Sequence, residues 1–573
     1  MTETLWTFQR EVSQEKINNL ADVLNIDKNL AKLLVMRGIE SFEEARKFFR
    51  PQLDDLYNPF LMKNMDFATD RLKKAVENNE KILIFGDYDV DGTTATALLY
   101  LFLKEKSENV SFYIPDRYSE GYGVSMKGID YAIENNINLI ITVDCGIKAN
   151  KQIEKAQNAN IDCIVCDHHE PGFEIPPAIA VLDAKQKDCK YPYKELSGCG
   201  VAFKLLQGFC SKTNLDPNIY LFNLLDIVVV SIASDIVPIT DENRTLAYYG
   251  LQLLNGSPSV GLKNLKKFTQ IQDKELQIND IVFKIAPRIN AAGRMDSGEK
   301  AVKLLISEND DEAEKICMEI EKFNNDRKNI EEIITQQAIE MINSDDKFMK
   351  ASSTVVYSEE WSKGVVGIVA SRLIESFYRP TIVFAKSGDK ISGSARSIKG
   401  FNLYKAIEYC EDLLENFGGH FYAAGITIKE ENLEKFKIRF EEYVKNNILE
   451  EQLNPSLSID TEINFQDITP KFCRLLKQLA PFGPENMSPL FVSNNVKDNT
   501  FGKIIGKNNE HLKLQLMQND NHNLCFDAIA FGYGEFFEKI NKSQKFSVCY
   551  HIAENEFLNQ ISIQLLIKDI HFN

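Results

Sequence analysis

The chain has 573 residues, of which 44% are hydrophobic. At about 100–200 residues per domain it should hold three or four domains with real cores, which excludes a peptide hormone, a disordered tail or a single small binding module. The 66 basic and 83 acidic residues give a net charge of −17, so any contact with nucleic acid must depend on a local basic region.

The cysteines and the apolar stretches bear on the compartment. Eleven cysteines are scattered along the chain and no signal segment leads it, so we expect free thiols in a reducing cytoplasm. Cys163 and Cys166 lack a second pair that would complete a zinc site. The most apolar stretch, from Leu221 to Ala233, is shorter than the roughly 18 apolar residues of a membrane span. We therefore expect a cytoplasmic protein that does not enter a membrane.

The first half of the chain predicts helices and then a parallel sheet. From Glu11 to Phe49 the apolar residues recur at helical spacing, and Pro51 marks the exit. From Lys81 to about Pro238, short apolar runs alternate with helical segments, beginning with KILIF and TTATALLYLFLKE. This alternation predicts βαβ units and a mainly parallel sheet. After Glu312 the apolar spacing predicts one long helix.

The second half predicts two further domains. A second α/β region begins near Ser353 and extends to about Asn447. Beyond Pro455, short alternating strands separated by turn residues predict a small β-barrel or sandwich. We therefore predict an α/β protein with these parts: a helical lead-in over 1–65, a parallel-sheet domain over 66–300, a connecting long helix over 301–348, a smaller α/β domain over 349–450 and a β-barrel over 451–573.

Three carboxylates, Asp87, Asp89 and Asp91, alternate in GDYDVDG, after the strand KILIF and before a helix that we expect to open at Thr93 or Thr94. This loop lies in the crevice where open α/β sheets bind ligands. Alternate residues of an extended loop point the same way, so the three carboxylates can converge. Such crowding of like charges is costly unless a cation neutralises it. The alternative is a solvated acidic turn or an Asp that caps the helix.

Other apolar runs also finish on residues that can bind a metal. INLIITVD ends on Asp144, and IDCIVCD leads into Asp167, His168 and His169. A further apolar run, IVVVSIASD, finishes on Asp235. Because parallel strands end at the same edge of a sheet, these side chains should share one rim. Oxygen-rich ligands with one or two imidazoles suit Mn²⁺ or Mg²⁺ better than Zn²⁺.

These residues carry a family resemblance. DYDVDG, the aspartate of TVDCG, the DHH triplet and Asp235 resemble the four motifs of the DHH phosphoesterase superfamily. Across nearly its whole length the chain is similar to the RecJ-type single-strand-specific exonucleases of that superfamily. The supporting segments are PDRYSEGYG, FKIAPRINAAGRM, GVVGIVASRL, GSARS, FGGHFYAAG and LAPFGPENMSPLF. The resemblance implies a DHH catalytic domain, a long helix, a DHH-associated domain and an OB-fold.

The resemblance also implies roles for the motif residues. Two divalent cations, Mn²⁺ or Mg²⁺, would be held by Asp89, Asp91, Asp144, His168 and Asp235. His169 would contact the scissile phosphate, and Asp144 would bridge the two metals, so that His169, Asp144 and Asp89 form the catalytic set. Other superfamily members carry a His where this chain has Phe85, so Asp87 is expected as an additional or alternative ligand.

A 5′ phosphate requires arginine forks and small donors. By resemblance, the residues expected to bind the terminal phosphate and the strand are Arg117, Arg288, Asn290, Arg294, Ser394, Arg396 and His420. Each arginine could instead pair with a buried acid. In the carboxyl-terminal barrel, lysines and aromatic rings could follow a single strand without reading its sequence: Lys503, Lys507, His511, Lys513, Phe501, Phe526 and Phe531.

Three alternatives compete with an exonuclease. Asp89 to Thr93 reads DVDGT, which also fits a haloacid-dehalogenase-type phosphatase with Asp89 as nucleophile, but this leaves Asp144 and the DHH triplet without a role. A DHH enzyme that cleaves cyclic dinucleotides, short oligonucleotides or pyrophosphate would usually lack the barrel. A non-catalytic replication scaffold would typically have lost metal ligands.

The resemblance, together with the predicted metal site, therefore implies a metal-dependent 5′→3′ exonuclease that degrades single-stranded DNA to mononucleotides in DNA recombination and repair. Its expected partners are single-stranded DNA with a 5′ end, a helicase and a single-strand-binding protein. We expect a monomer.

Overall fold

The computed structural model describes residues 4–9, 11–519, 521–522, 524–542, 545–557 and 560–572. Its amino-terminal region forms a short strand followed by three helices: β1 (Leu5–Phe8), α1 (Gln14–Leu24), α2 (Lys28–Met36) and α3 (Phe42–Phe49). The helices predicted before Pro51 are confirmed. α3 begins with a capping box, in which Ser41 accepts from the Glu44 amide and the Glu44 carboxylate accepts from the Ser41 amide. The strand β1 was not predicted.

The predicted parallel sheet is confirmed. It has five strands: β2 (Ile82–Gly86), β3 (Val110–Tyr113), β4 (Leu139–Val143), β5 (Asp162–Cys166) and β6 (Ala180–Leu182). All neighbouring pairs are parallel, in the order β3-β2-β4-β5-β6. β2 and β4 are fully buried, as expected for strands covered by helices on both faces. Because the chain leaves β2 for β3 on one side and returns to β4 on the other, the edge between β2 and β4 is the topological switch point.

Helices cover both faces of this sheet. Those before and between the strands are α4 (Met65–Glu77), α5 (Val90–Lys104), α6 (Met126–Glu134) and α7 (Asn150–Asn158). Those that follow the sheet are α8 (Gly198–Thr213), α9 (Pro217–Tyr220), α10 (Leu225–Ser234), α11 (Asp241–Gly256), α12 (Val260–Phe268), α13 (Ile278–Asp280), α14 (Ala286–Met295) and α15 (Glu299–Leu305). A π-helical turn, Ile281–Ile285, leads into α14.

Two expectations about these elements were wrong. The helix expected to open at Thr93 or Thr94 begins at Val90, because the Asp89 side chain accepts from the Gly92 amide and caps it. The apolar run before Asp235 is the helix α10 and not a strand of the sheet. A short run that is apolar on every side has no periodicity that separates the two cases. The stretch Pro217–Ser234 is long and apolar enough to cross a membrane, but 56% of it is buried inside the protein, as in the core helix of a soluble protein.

The predicted long helix is present as one element, α16 (Asp310–Asn343), followed by the short α17 (Asp346–Met349). It leads into a second sheet made of β7 (Thr354–Ser358), β8 (Thr381–Ser387), β9 (Lys390–Arg396), β10 (Leu414–Gly419) and β11 (Ala423–Ile428). The order is β10-β11-β9-β8-β7, and only β7 and β8 are parallel. Three helices accompany it: α18 (Val366–Phe377), α19 (Leu403–Glu408) and α20 (Leu433–Asn447).

The carboxyl-terminal region is a barrel, which resolves the choice between barrel and sandwich. The region begins with β12 (Ser456–Ile459), which is not part of the barrel sheet. The barrel strands are β13 (Thr461–Glu462), β14 (Phe491–Asp498), β15 (Lys503–Ile505), β16 (His511–Gln518), β17 (Cys525–Ala530), β18 (Phe546–Phe557) and β19 (Gln560–Phe572). The sheet runs from β13 to β15, and a second pairing of β14 with β16 closes it. Two helices belong to this region, α21 (Pro470–Lys477) and α22 (Phe537–Lys542). Short 3₁₀ turns occur at Leu53–Asp55, Pro59–Leu61, Phe222–Leu224, Glu411–Leu413, Glu430–Asn432, Glu450–Gln452, Phe465–Asp467 and Gly534–Phe536.

The amino-terminal helices share one hydrophobic core with the barrel. β1 pairs in parallel with β12, and the Trp6 ring stacks on His571 at 3.9 Å. The Trp6 indole also donates to Asp569. The two ends of the chain therefore meet in one body, and the domain limits drawn from the sequence stay a prediction.

Arg244 of α11 holds the region of the parallel sheet against this body. Its guanidinium is buried, stacks on Phe48 at 3.7 Å and donates to backbone carbonyls of two separate segments. The acceptors are the carbonyls of Phe48, Gln478, Leu479, Ala480 and Pro481. Burial, together with the charge of Arg37, lowers the pKa of Arg244 to about 9. Backbone carbonyls of the segment LAPFGPENMSPLF therefore accept the hydrogen bonds of the Arg244 side chain.

We expect Arg244→Met to destabilise the protein by on the order of 2–4 kcal/mol, because several buried carbonyls lose their donor. The midpoint of thermal unfolding measures this loss. The matched control is Arg439→Gln, whose exposed ion pair with Asp412 should contribute little. Equal midpoints for the two variants would contradict the role given to Arg244.

Candidate metal centre and nucleic-acid cleft

The carboxyl ends of three neighbouring strands deliver the candidate ligands. Asp87 and Asp89 follow β2, Asp144 follows β4, and His168 follows β5. Asp144 has a φ of 56°, in the left-handed region that non-glycine residues seldom adopt. Backbone strain of this kind is concentrated at functional sites, where the surrounding structure enforces it. The sheet therefore places these side chains at its switch point, as the sequence predicted.

The side chains converge on His168. Its Nε2 atom lies 3.1 Å from Asp144 Oδ1, 3.6 Å from Asp235 Oδ2 and 3.7 Å from Asp91 Oδ2. Two overlapping groups have ligand atoms within 4.8 Å of one another: Asp144, His168 and His169, and Asp91, His168 and Asp235. Asp235 arrives from the carboxyl end of α10, and its side chain is 30% exposed. The predicted gathering of these residues is therefore observed, although Asp235 comes from a helix.

Asp91 is held in place by the amino terminus of α8. Its carboxylate accepts from the amides of Gly198 and Cys199 at 2.6 and 2.9 Å and from the Ser231 hydroxyl at 2.6 Å. Gly198 also lets Asp144 lie close to the start of α8, because a Cβ at that position would lie 2.6 Å from the Cβ of Asp144. Asp91 therefore orients two helices as well as facing the centre. The helix-cap alternative is also realised, by Asp89, so capping and ligation are compatible roles in this motif.

The electrostatics favour a bound cation. Burial, reinforced by the neighbouring aspartates, raises the pKa of Asp144 and of Asp235 well above the usual range. Burial and the charge of Asp89 do the same to the pKa of Asp87. Among the described residues, Asp87 Oδ2, Asp144 Oδ2 and His168 Nε2 are buried without a hydrogen-bond partner. Orphaned acceptors among repelling carboxylates are the donor set that a hard divalent cation requires.

Asp167 is the anchor of the second histidine. One of its oxygens accepts from the His168 and His169 amides and lies 2.7 Å from His169 Nδ1, and the other accepts from the Ile147 amide. Burial alone would lower the pKa of His169, but the hydrogen bond and charge of Asp167 raise it to about 9. Asp167 therefore holds His169 through Nδ1, and His169 Nε2 lies 3.0 Å from the Tyr122 hydroxyl.

Phe85 does not face the centre. It is fully buried in the core on the other side of the sheet, where its ring lies 5.2 Å from that of Tyr113. Asp87 is placed differently, because the Gly123 amide donates to Oδ1 while Oδ2 has no partner in the described part of the chain. These contacts support the expected role of Asp87 as an additional or alternative ligand, which stays a prediction.

Three of the expected phosphate-binding arginines gather beside the centre. Arg117 stacks on Tyr88 at 4.8 Å, Arg294 donates to the Gly364 carbonyl, and Arg396 donates to the Ser394 hydroxyl. Burial, followed by the positive charges of Arg117, Arg327 and Arg396, lowers the pKa of Arg294 to about 10. In the part of the chain that the structure describes, no carboxylate lies within ion-pair distance of these three guanidinium groups. Their charge is therefore available to an anion.

The other expected residues are placed less uniformly. Asn290 and Arg294 line a cavity of about 190 Å³ with Ser234, Ile368 and Arg327. Arg288 donates two hydrogen bonds to the carboxylate of Glu321, from Nε to Oε2 at 2.5 Å and from Nη2 to Oε1 at 3.2 Å. His420 lies exposed at the turn between β10 and β11. The roles of all three stay predictions.

Arg327 was missed by the sequence analysis. It lies on α16, pairs with Glu331 at 2.8 Å and donates to Asn324. Its Nε has no hydrogen-bond partner among the described residues. Both partners lie on α16 itself at helical spacing, so the sequence could have indicated them. Only the packing of α16 against α14 brings Arg327 to the cavity that Arg294 lines.

The fold and the site define a DHH-type phosphoesterase. The family described as "DHH family, N-terminal domain" matches residues 81–232, the DHHA1 domain matches 350–446 and the RecJ OB domain matches 459–569. The DHH match contradicts the haloacid-dehalogenase alternative. The three matches together agree with the predicted order of catalytic domain, associated domain and OB-fold.

Two relatives and one solved structure extend this similarity over nearly the whole chain. The single-stranded-DNA-specific exonuclease RecJ of Bacillus subtilis is 39% identical over 98% of this chain and 70% of its own length. The same enzyme of Salmonella typhimurium is 32% identical over 98% of this chain and 99% of its own. The crystal structure of RecJ from Thermus thermophilus in complex with Mn²⁺ has a TM-score of 0.85 at 26% identity, covering 100% of this chain and 80% of that one. This chain belongs to the RecJ family of single-stranded-DNA-specific exonucleases.

The repulsion among the buried carboxylates can be tested by unfolding. Without divalent metal at pH 8, Asp144→Asn should unfold at a higher temperature than the wild type, because one buried charge is removed. Mn²⁺ should then raise the unfolding midpoint of the wild type more than that of Asp144→Asn. At a hundredfold excess over the dissociation constant, one bound ion adds about 2.7 kcal/mol to the free energy of unfolding.

The control for this measurement is Asp188→Asn, which changes an exposed carboxylate paired with Lys63 and should respond to Mn²⁺ as the wild type does. An equal Mn²⁺ response in the wild type and Asp144→Asn would contradict the assignment of Asp144.

Proposed function

We propose that this chain hydrolyses single-stranded DNA from its 5′ end and releases mononucleotides. The observation that carries the proposal is the convergence of Asp91, Asp144, His168 and Asp235 beside three guanidinium groups with no acidic partner in the described chain. A site with both features holds cations at the reacting phosphate and binds a second anion next to it.

Each residue of the centre then has a stated task. Asp91, Asp144, His168 and Asp235 would hold two divalent cations, Mn²⁺ or Mg²⁺, together with Asp89, which lies beside Asp91 and Asp144, and with Asp87 as a further ligand. When bound, such a pair activates a water and stabilises the attacking and leaving oxygens of an in-line displacement. His169, which Asp167 holds through Nδ1, would contact the scissile phosphate. Asp144, whose pKa is raised by burial and by four neighbouring aspartates, would be the ligand that both cations share.

The arginine group accounts for recognition of an end. A terminal phosphate carries more charge than a phosphate within the strand, and guanidinium forks bind it more strongly. Arg117 and Arg294 come from the catalytic region, while Ser394 and Arg396 come from β9 of the second sheet. A strand whose terminal phosphate rests here is cut next to its end, which gives 5′→3′ polarity and mononucleotide products.

The barrel is suited to hold the strand farther from the cut. Lys503 lies opposite Lys513 in the pairing of β15 with β16, on the face away from the buried Leu512 and Leu514. His511 belongs to the same face, and its ring lies 5.1 Å from Phe531. Phe501 and Phe531 are exposed, whereas Phe526 is buried in the core and cannot serve as a stacking platform. Exposed rings and lysines on one face bind single strands without reading sequence.

The wider context follows from the substrate. An enzyme that needs a single-stranded 5′ end depends on a helicase to open the duplex and acts beside a single-strand-binding protein. We accordingly propose a monomeric enzyme that works in the cytoplasm, in DNA recombination and repair.

Digestion of oligonucleotides labelled at either end tests the reaction. With Mn²⁺ or Mg²⁺, the wild type should degrade 5′-phosphorylated single strands from the 5′ end and leave blunt duplex intact. Asp144→Ala should lower the rate at least about a thousandfold, because it removes a shared ligand. Binding without cleavage by the wild type would instead favour a scaffold, and cleavage confined to dinucleotides would favour a small-substrate enzyme.

The terminal-phosphate role of Arg396 makes a second prediction. The wild type should prefer a 5′-phosphorylated strand to the same strand with a 5′ hydroxyl, and Arg396→Gln should reduce that preference by about tenfold or more. Ratios of kcat/KM for the two strands measure it. Arg439→Gln, far along the same domain, serves as the control, and an unchanged ratio in Arg396→Gln would remove Arg396 from the pocket.

A further inference from the structure

Tyr122 projects from a loop that is fixed to the metal centre. The glycines on either side of it, Gly121 and Gly123, have φ values of 87° and 80°, in the left-handed region that glycine adopts without strain. The Gly123 amide donates to Asp87 Oδ1 at 3.1 Å. The loop is therefore tied to the first strand end of the centre, and Tyr122 lies at its tip.

The hydroxyl of Tyr122 is anchored at two points of the centre. It lies 3.0 Å from His169 Nε2 and donates to the Asp144 carbonyl at 3.3 Å. These two residues follow different strands, β5 and β4. A tyrosine held through its hydroxyl in this way has little freedom at either side-chain torsion, so its ring is a rigid surface.

The ring itself remains open to the cleft. Tyr122 is 54% exposed, although its hydroxyl contacts the centre. The rings of Tyr88 and His169 meet it edge to face, at 6.1 Å and 5.8 Å. Within the described ranges no ring stacks face to face on Tyr122, whereas the adjacent Tyr88 carries the guanidinium of Arg117. An aromatic face of this size, rigid and exposed, does not contribute to a core.

We propose that the ring of Tyr122 is the stacking platform for the base of the 5′-terminal nucleotide, and that its hydroxyl positions His169. The inference deepens the proposed function and rests on it. In the proposed function His169 contacts the scissile phosphate, and Arg117, on the far side of Tyr88, binds the terminal phosphate. The terminal nucleotide joins these two phosphates, and Tyr122 lies between His169 and Tyr88. Stacking on an aromatic ring accepts every base, as an enzyme without sequence preference requires.

Strands that lack the terminal base test the platform. For 5′-phosphorylated oligonucleotides, an abasic terminal nucleotide should lower the wild-type kcat/KM by about tenfold, within the range measured for one base stacked on an aromatic ring. Tyr122→Ala should lose a similar factor on the normal strand and lose no more when the base is absent. Tyr122→Phe keeps the ring, so it should keep the tenfold dependence on the base.

The hydroxyl has its own readout in the same experiment. Because Tyr122→Phe removes the contact at His169 Nε2 and leaves only the Asp167 contact at Nδ1, it should lower kcat while leaving the dependence on the terminal base unchanged. The matched control is Tyr409→Ala, which removes a ring that is 53% exposed in the second α/β region and packs on Tyr443. This control should behave as the wild type does, and thermal unfolding of each variant confirms that it is folded.

The outcomes separate the inference from the function on which it rests. If the wild type does not cleave from the 5′ end, the proposed function fails. If the wild type cleaves but is indifferent to the terminal base, or if Tyr122→Ala retains the full tenfold penalty, the function stands and the platform is rejected. An unchanged kcat in Tyr122→Phe would reject the positioning of His169.

Discussion

The crowding of buried carboxylates at one edge of the parallel sheet is the constraint on which the site depends. Burial raises the pKa values of Asp87, Asp89, Asp144 and Asp235, and the neighbouring carboxylates raise them further. Such an arrangement is unstable as a bare anionic cluster and becomes favourable when divalent cations neutralise it. Bound cations would therefore relieve the repulsion between these carboxylates. The same cations would also activate the water that attacks a phosphate.

Two further aspartates, Asp91 and Asp167, hold the loops at this sheet edge in place through hydrogen bonds. Asp91 accepts three hydrogen bonds from the start of α8 and from Ser231, and Asp167 accepts from the loop at Ile147 and from both histidines. These bonds fix the loops that follow three strands relative to one another. Segments distant in sequence also meet near the centre and behind it, since Arg294 joins α14 to Gly364 before α18, and Arg244 joins α11 to Leu479 of the carboxyl-terminal region. Catalytic geometry at the sheet edge thus depends on contacts made across the whole chain.

Much of this site could be predicted from the sequence, for identifiable reasons. Asp87, Asp89, Asp144 and His168 each follow a short apolar run, and parallel strands necessarily end at a common edge. Asp235 was placed correctly at the centre although its run is a helix, because an apolar run is buried in either conformation. The start of α5 was placed too late because the cap role of Asp89 was treated as an alternative to ligation, whereas the structure combines capping with a place beside the centre.

Other features depend on packing that no local pattern encodes. The amino-terminal helices share their core with a barrel more than 400 residues away, and nothing in their spacing indicates that partner. Tyr122 and Arg327 are single residues of common types, so no sequence pattern points to them. Their importance follows only from their neighbours in the fold, which are His169 for Tyr122 and the cavity beside Arg294 for Arg327.

The most direct measurement is the location of manganese by anomalous X-ray diffraction from crystals of the protein grown with Mn²⁺. Two peaks are expected, both within coordinating distance of Asp144, with His168 and Asp235 among the surrounding ligands. A structure in which Mn²⁺ binds elsewhere, or in which the aspartates remain in place with no peak between them, would contradict the central claim that this crowded edge is built for cations.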